Sequence, residues 1–359
     1  MDEARERNLE VSKLLADNID PLQKKRSAAA AVAAEAIKGR TFEECARDYI
    51  ERHQAEWKSS QHAKQWGVSL EKFVFPKIGQ LPVAAIDKAL VLSVLEQPIV
   101  GDTRHPASGK FWQARTTTAD RVRNRIELVL NFATAAGYRP EGPNPAAWGS
   151  LKDLLAAPTK INEKRHHAAM PYNELPAFLS DLRQHEGVGV RALEFAILTA
   201  ARLGEVVGAQ RSEIDLAAKV WTIPANRMKG GKEHRVPLSS AAIALQKALP
   251  TESGNPNLFI GARGDRTSQA AVTVLPKRLG YDVTVHGFRS TFADWCHERT
   301  GANGMIVEMC LAHTVGSDVE RSYRRTDLFE KRRKLMADWA AFATTPAAGS
   351  AAVVPMRRA

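Results

Sequence analysis

Apolar residues recur at helical spacing through most of the 359-residue chain. In "TTTADRVRNRIELVLNFATAAG", Val122, Ile126, Val129 and Leu130 fall on one face. The stretch predicts an amphipathic helix that opens at its threonines and stops at Gly137. Three helices are predicted before it. "TFEECARDYIERHQAEW" carries a capping-box signature in Thr41 and Glu44, and "KQWGVSLEKFVFPKIG" and "LPVAAIDKALVLSVLEQPIV" follow. "GYRPEGPNPAAWG" then reads as a loop, because Pro and Gly punctuate it. Beyond it, "NELPAFLSDLRQH" and "VRALEFAILTAA" return to the helical period. The period changes at Val220, Trp221, Thr222 and Ile223, which are good strand formers. "KGGK" is a turn and "HRVPL" alternates across it, so a small antiparallel meander interrupts the helices. Helices resume at "SSAAIALQKAL", "HGFRSTFADWCHERT", "NGMIVEMCLAH", the short "DVERSYRRT" and "DLFEKRRKLMADWAAF".

These elements predict a mainly α chain, with a helical domain followed by a mostly α domain that holds a small antiparallel β-sheet, an α+β arrangement. The expected division is a helical tail over 1–40, broken near Asp20-Pro21, a helical domain over 41–138, and a basic linker over 139–168. A second domain follows over 169–343, and a disordered tail over 344–359. The last helix, Asp327 to Phe342, is suited equally to covering its own domain or docking on a neighbour.

Charge narrows the partner. The formal net charge is +11, which favours a polyanion: DNA, RNA or an acidic membrane face. No apolar run approaches spanning length, and the start, "MDEARERNLE", lacks a signal-peptide core. Cys45, Cys296 and Cys310 are odd in number and form no CxxC pair. They suit a reducing cytoplasm with neither a disulfide scaffold nor a thiolate metal site. Arg121, Arg123 and Arg125 crowd the first turns of the long helix. They read as a solvated basic face or as one laid along phosphates, with Lys160, Lys164 and Arg165 of the linker as further backbone contacts.

Four places carry candidate chemistry. Arg202 and Glu205 are three residues apart, which allows a plain surface ion pair or an arginine held by a carboxylate with its fork open to a phosphate. Arg202 follows the apolar "FAILTAA", so it emerges at the end of a buried helix. His286 and Arg289 have the same spacing: a capping histidine with a solvent arginine, or a proton-passing imidazole beside an oxyanion clamp. Lys229, with Lys232 close by, sits at the hairpin mouth as a solvated turn lysine or as one that reaches into a cleft. Finally, "LAHTVGSDVERSYRRTDLFEKRR" places His313 ten positions before Tyr323, which Arg324 and Arg325 follow at once. A lone tyrosine is commonly a core residue, but these neighbours are polar and cationic.

The order Arg, hairpin Lys, His-x-x-Arg, His, Tyr resembles the catalytic domain of the tyrosine recombinases, the phage integrase family. The segments "HHAAMPYNELPAFL", "TAARLGEVVGAQRSEIDLAAKVWTIP", "MKGGKEHRVPLS" and "HGFRSTFADW" are similar to those of proteobacterial prophage integrases. The resemblance covers about 41 to 340. It implies the DNA-breaking-rejoining fold, with 41–138 as a core-binding domain and 1–40 as the remnant of an arm-binding domain.

The resemblance also implies roles. Tyr323 would attack the scissile phosphate to give a 3′-phosphotyrosine. Arg202 and Arg289 would clamp the non-bridging oxygens, Lys229 would protonate the leaving 5′-oxygen, His286 would share the tyrosine proton and His313 would hydrogen-bond the phosphate. No metal or other cofactor and no ATP is expected, since the phosphotyrosine keeps the bond energy. Expected partners are double-stranded DNA attachment sites and a homotetramer on two sites, with a DNA-bending host factor and a directionality factor as candidate accessories, and no membrane. Integration or excision of a prophage or genomic island is the implied role. Two family glycines read Ala200 and Ala312 here, both small-residue exchanges. Weighed against this are type IB topoisomerase-like relaxation, a DNA-binding regulator with a decayed site, and a metallohydrolase using His286, His297 and His313.

Overall fold

The computed structural model describes residues 39–57, 60–102, 106–161, 167–316 and 326–345. The tail expected over 1–40 therefore lies almost wholly outside the described residues. So do Lys164, Arg165, the short helix over "DVERSYRRT" with Tyr323, Arg324 and Arg325, and nearly all of the tail over 344–359. The chain forms two compact units, Met1–Arg165 and His166–Ala359.

The first unit is built on α1 (Phe42–His53), α2 (Ser60–Phe73), α3 (Lys88–Leu95) and the long α4 (Thr116–Ala135). The capping box is present: Glu44 N donates to Thr41 Oγ1 (3.2 Å) and Thr41 N donates to Glu44 Oε2 (2.8 Å). Val122, Ile126, Val129 and Leu130 are buried together, as their spacing predicts. A two-residue hairpin pairs β1 (Pro98–Ile99) with β2 (Gly109–Lys110) between α3 and α4. Part of the expected linker is core, because Ala146, Leu151 and Leu155 are buried in this unit.

The arginines of α4 need a correction. Only Arg121 is exposed. Arg123 is buried, bonded to Asp120 (3.0 Å), Glu127 (2.5 Å) and the Ala146 carbonyl (2.9 Å). Arg125 is buried over the Trp66 ring and donates to the Gln65 carbonyl (2.9 Å) and to Ser69 Oγ. Both flank the apolar stripe on the helix wheel, so their stems pack and their heads find partners at the edge of the core. Their heads are engaged within the unit, and Arg121 alone of the three is left exposed.

The second unit packs α5 (Leu175–Arg183), α6 (Val188–Thr199), α7 (Leu203–Val207), α8 (Ser240–Lys247), α9 (Gln269–Thr273), α10 (Gly287–Arg299), α11 (Gly304–Cys310) and α12 (Phe329–Thr344) around one core. The expected meander is there. β3 (Ile214–Asp215), β4 (Val220–Ile223) and β5 (His234–Pro237) form an antiparallel sheet in that order, with Trp221 opposite Val236 and Ile223 opposite His234. α12 covers its own unit: Leu335, Met336, Trp339 and Ala340 are buried, and Trp339 Nε1 donates to the Ile197 carbonyl (2.8 Å). No helix among the described residues is long and apolar enough to cross a membrane.

Candidate active site

α6 is buried from Ala192 to Thr199 and ends at Ala200, whose φ of 50° is left-handed. That turn throws the chain outward, and Arg202 becomes the N-cap residue of α7. Glu205, almost fully buried, fixes it twice, accepting from Arg202 N (2.9 Å) and from Arg202 Nη1 (3.0 Å). Arg202 Nη2 reaches 110 residues along the chain to the Ala312 carbonyl (3.2 Å). The pair predicted from the spacing is therefore a cap and a clamp at once.

Arg289 lies in the first turn of α10 and is buried. Its Nη1 donates to the Ala200 carbonyl, and its Nη2 to the Leu311 carbonyl (2.5 Å) and to His313 Nε2 (3.2 Å). Ala312 has φ 51°, the second left-handed alanine of the site. Both alanines stand where the resemblance expects glycine, so the exchange is more than one of size. Each keeps a Cβ in a conformation that costs roughly 1 kcal/mol for a non-glycine residue. The two turns present the carbonyls that orient the guanidinium groups.

A guanidinium has five N–H donors. Among the described residues three of Arg289's are committed to these partners, which leaves two. On the same residues Arg202 commits two and keeps three. Burial lowers Arg289 first, and neighbouring Arg202 lowers it further, to about 10. It stays charged at neutral pH, faced mainly by neutral acceptors. Two fixed cations, with Glu205 on Arg202 and Glu308 behind His313, form a site for an oxyanion.

His313 bridges this pair to a carboxylate. Its Nδ1 lies 2.6 Å from Glu308 Oε2 while Nε2 faces Arg289. Nε2 accepts from a guanidinium that can only donate, so Nδ1 carries the proton toward Glu308. His286 caps the start of α10, three residues before Arg289, and is exposed. Burial of its inner side, then Arg289 and His167, hold it below its ordinary value.

The structure thus brings Arg202, Arg289 and His313 into one bonded cluster with His286 beside it. Lys229 stands apart, exposed in the turn between β4 and β5. A cavity of about 440 Å³ is lined by Met228, Lys232, His234, Ala312, His313 and Arg332, so Lys232 is the hairpin lysine that borders it. His297, the third histidine weighed for a metal, lies at the far end of α10 beside Gly304. Among the described residues no group of three His, Cys, Asp or Glu side chains is gathered to hold a metal ion.

Four residues of this region escaped the sequence reading. His234 on β5 is pushed down to about 3 by burial first, then by Arg332, Arg202 and Arg289, so it is neutral. Arg332 of α12 is buried and donates to the Arg235 carbonyl and to Asp327 O (3.4 Å), tying α12 to β5. Glu308 and His167 are the others. Glu308 had a legible signal, a carboxylate five residues before His313. The rest are joined to the site only by the fold.

Models of the phage integrase central domain and of the phage integrase family match residues 42–150 and 170–328. The prophage integrase IntZ of Escherichia coli K12 is 30% identical over 343 residues, 94% of this chain and 79% of that protein. The integrase of enterobacteria phage P4 is 28% identical over 358 residues, 94% and 76% of the two chains. Among solved structures, a lambda integrase dimer bound to a COC′ core site matches with a TM-score of 0.59 at 15% identity, covering 90% of this chain and 88% of that one. A lambda integrase tetramer bound to a Holliday junction matches at 0.58 and 13% identity, covering 87% and 89%. At such identity the solved structures speak for the fold, which is mainly α with small antiparallel sheets.

Proposed function

The chain belongs to the phage integrase family, the tyrosine recombinases, and from that premise we propose that it cleaves and rejoins DNA at specific sites through a 3′-phosphotyrosine on Tyr323. The phenol oxygen attacks the scissile phosphorus. Its bond to phosphorus forms as the bond to the 5′-oxygen breaks, and the phenol proton passes to His286. Lys229 gives a proton to the departing 5′-oxygen. Attack by a 5′-hydroxyl reverses each transfer and rejoins the strand, so no external energy source enters.

One observation carries this reading: the Arg202–Arg289 pair, with five N–H groups still open among the described residues. A phosphodiester resists attack because its charge repels the nucleophile. Two fixed guanidinium groups offset that charge and follow it into the crowded transition state. His313 would reach a non-bridging oxygen once Nε2 gains a proton and turns from Arg289, with Glu308 at Nδ1 holding the ring in place. A phenol with an ordinary pKa near 10 needs a base or a cationic pocket, and a His286 held toward neutrality supplies the base. Gly231, with φ 66°, closes the hairpin turn on the Met228 carbonyl, and the long Lys229 side chain extends from that turn.

We extend the proposal to a cytoplasmic homotetramer acting on two double-stranded attachment sites, in service of a prophage or genomic island. Residues 41–138 would grip the DNA with the catalytic domain. The lambda integrase tetramer on a Holliday junction supports the stoichiometry.

The test is covalent trapping. The protein is incubated, in EDTA and without ATP, with duplex DNA spanning an element–chromosome junction and nicked so that the cleaved end diffuses away. A protein–DNA adduct stable to denaturation is expected. Tyr323→Phe should bind the same DNA and form none. An adduct that persists in that variant refutes the nucleophile, and relaxation of supercoiled plasmids without any junction would favour the topoisomerase reading.

A further inference from the structure

The strap that leads into the second unit carries an imidazole that none of this chemistry uses. The His167 ring meets the His286 ring edge-to-face, with centroids 4.7 Å apart and planes at 65°. The strap itself is interlocked with the start of α10. The Ala168 carbonyl accepts from Thr284 N (2.9 Å) and Thr284 Oγ1 (3.2 Å), and the Met170 carbonyl accepts from Thr291 Oγ1 (2.7 Å). Gly287 is where the two cross. A Cβ there would lie 2.0 Å from the Ala168 carbonyl oxygen, so only glycine lets the strap pass. His167 is therefore held against His286 by backbone and not by chance packing of two side chains.

Resting on the functional reading above, we propose that His167 is a positioning residue for the proton step, one that holds the His286 ring edge-to-face and keeps it oriented as a proton acceptor. The groups facing His286 are Arg289 from its own helix, Arg202 from the start of α7, His313 from the end of α11 and His167 from the strap. Among the described residues none of the groups acting on His286 is a carboxylate; Glu205 and Glu308, on the same elements, are engaged with Arg202 and His313. The two arginines keep their charge throughout the working range. Two imidazoles in contact resist carrying two positive charges at once, and His167 is among the groups that lower His286. His286 therefore retains a larger neutral fraction on the acid side than it would alone, and remains a competent acceptor for the phenol proton.

The experiment pairs a titration with a rate. Histidine ring signals of the full chain are followed against pH by NMR in wild type and His167→Phe, with His286→Asn to assign the His286 signal. Adduct formation on nicked DNA is measured in a single turnover over the same pH range. Phe keeps a ring against His286 but holds no proton. In it the His286 midpoint should rise by roughly half a pH unit, the size expected of two charges at this distance in a solvated setting. The acid limb of adduct formation should move the same way and become steeper. His167→Gln should behave like Phe, and it carries the comparison if the Phe variant fails to fold. Midpoint and limb both unchanged, or a rate lowered equally at every pH, would reduce His167 to packing and overturn the proposal. A wild type that forms no adduct at any pH on DNA it binds fails the functional reading instead, and the titration then decides the pairing by itself.

Discussion

Each unit buries arginines, and the two sets do opposite things. On α4, Arg123 is met by two carboxylates and a carbonyl, while Arg125 lies over an indole and donates to a carbonyl and a hydroxyl. Their charge is neutralised or sheathed where they sit. In the second unit, Arg289 has two carbonyls and a neutral imidazole nitrogen as partners, and its guanidinium stands beside that of Arg202. Here the charge is oriented but left incomplete. Burial alone does not separate a structural arginine from a functional one. The separating feature is the setting of the charge: carboxylates or an indole meet it on α4, whereas Arg289 faces carbonyls and a second guanidinium.

The largest expected effect tests that difference. Arg202→Ala and Arg289→Ala should each lower single-turnover adduct formation by at least about 100- to 1,000-fold, the usual loss for an oxyanion donor. Arg123→Ala should instead lower unfolding free energy by about 2 kcal/mol, since it strands two partly exposed carboxylates and a carbonyl. Its rate per folded molecule should stay within about twofold, because no chemistry passes through it.

The next effect sharpens the electrostatic side. An unfolded histidine titrates near 6.5, whereas His234 in the folded chain titrates at about 3. Between those values the unfolded state takes up a proton that the native state refuses. His234's contribution is thus intact above about pH 6.5 and is lost as pH falls toward 3. Between pH 7 and 4.5 the wild type should lose about 2 kcal/mol more than His234→Gln in denaturant unfolding. Equal losses would mean that His234 is not sealed among the arginines.

The smallest effects concern the two left-handed alanines. Ala312→Gly should gain up to about 1 kcal/mol by relieving its backbone. Ala200→Gly should be nearly neutral, because its methyl is buried and the loss of that burial, about 0.8 kcal/mol, offsets the relief. Thermal unfolding of both variants measures this. A clear loss at Ala312 would show that its Cβ does more than tolerate the turn.

Much of this fold was legible because it is written in periods. The α4 stripe, the Thr41–Glu44 box and the Val220–Ile223 strand each carry a local pattern. β1 and β2 do not, since two-residue strands have no period to read, and α9 hides in a short run ending near Pro276. The ordered signature drew attention to Arg202, His286, Arg289 and His313, and the fold assembles them. Arg123 and Arg125 misled because a composition of closely spaced arginines says nothing about which stem packs and which head finds a carboxylate. His167, His234 and Arg332 stayed silent for the converse reason. Their meaning lies in contacts that join the strap to α10, β5 to the arginine pair, and α12 to β5.

The most direct test of the account measures Arg289→Ala and Arg123→Ala side by side, scoring adduct formation on nicked DNA in a single turnover per folded molecule, with unfolding free energy taken on the same samples. The account predicts that Arg289→Ala remains largely folded and loses the adduct, while Arg123→Ala loses stability and keeps the rate. The reverse pattern, or a full rate in Arg289→Ala, would contradict the claim that the Arg202–Arg289 pair, and not the arginines sheathed on α4, does the chemistry.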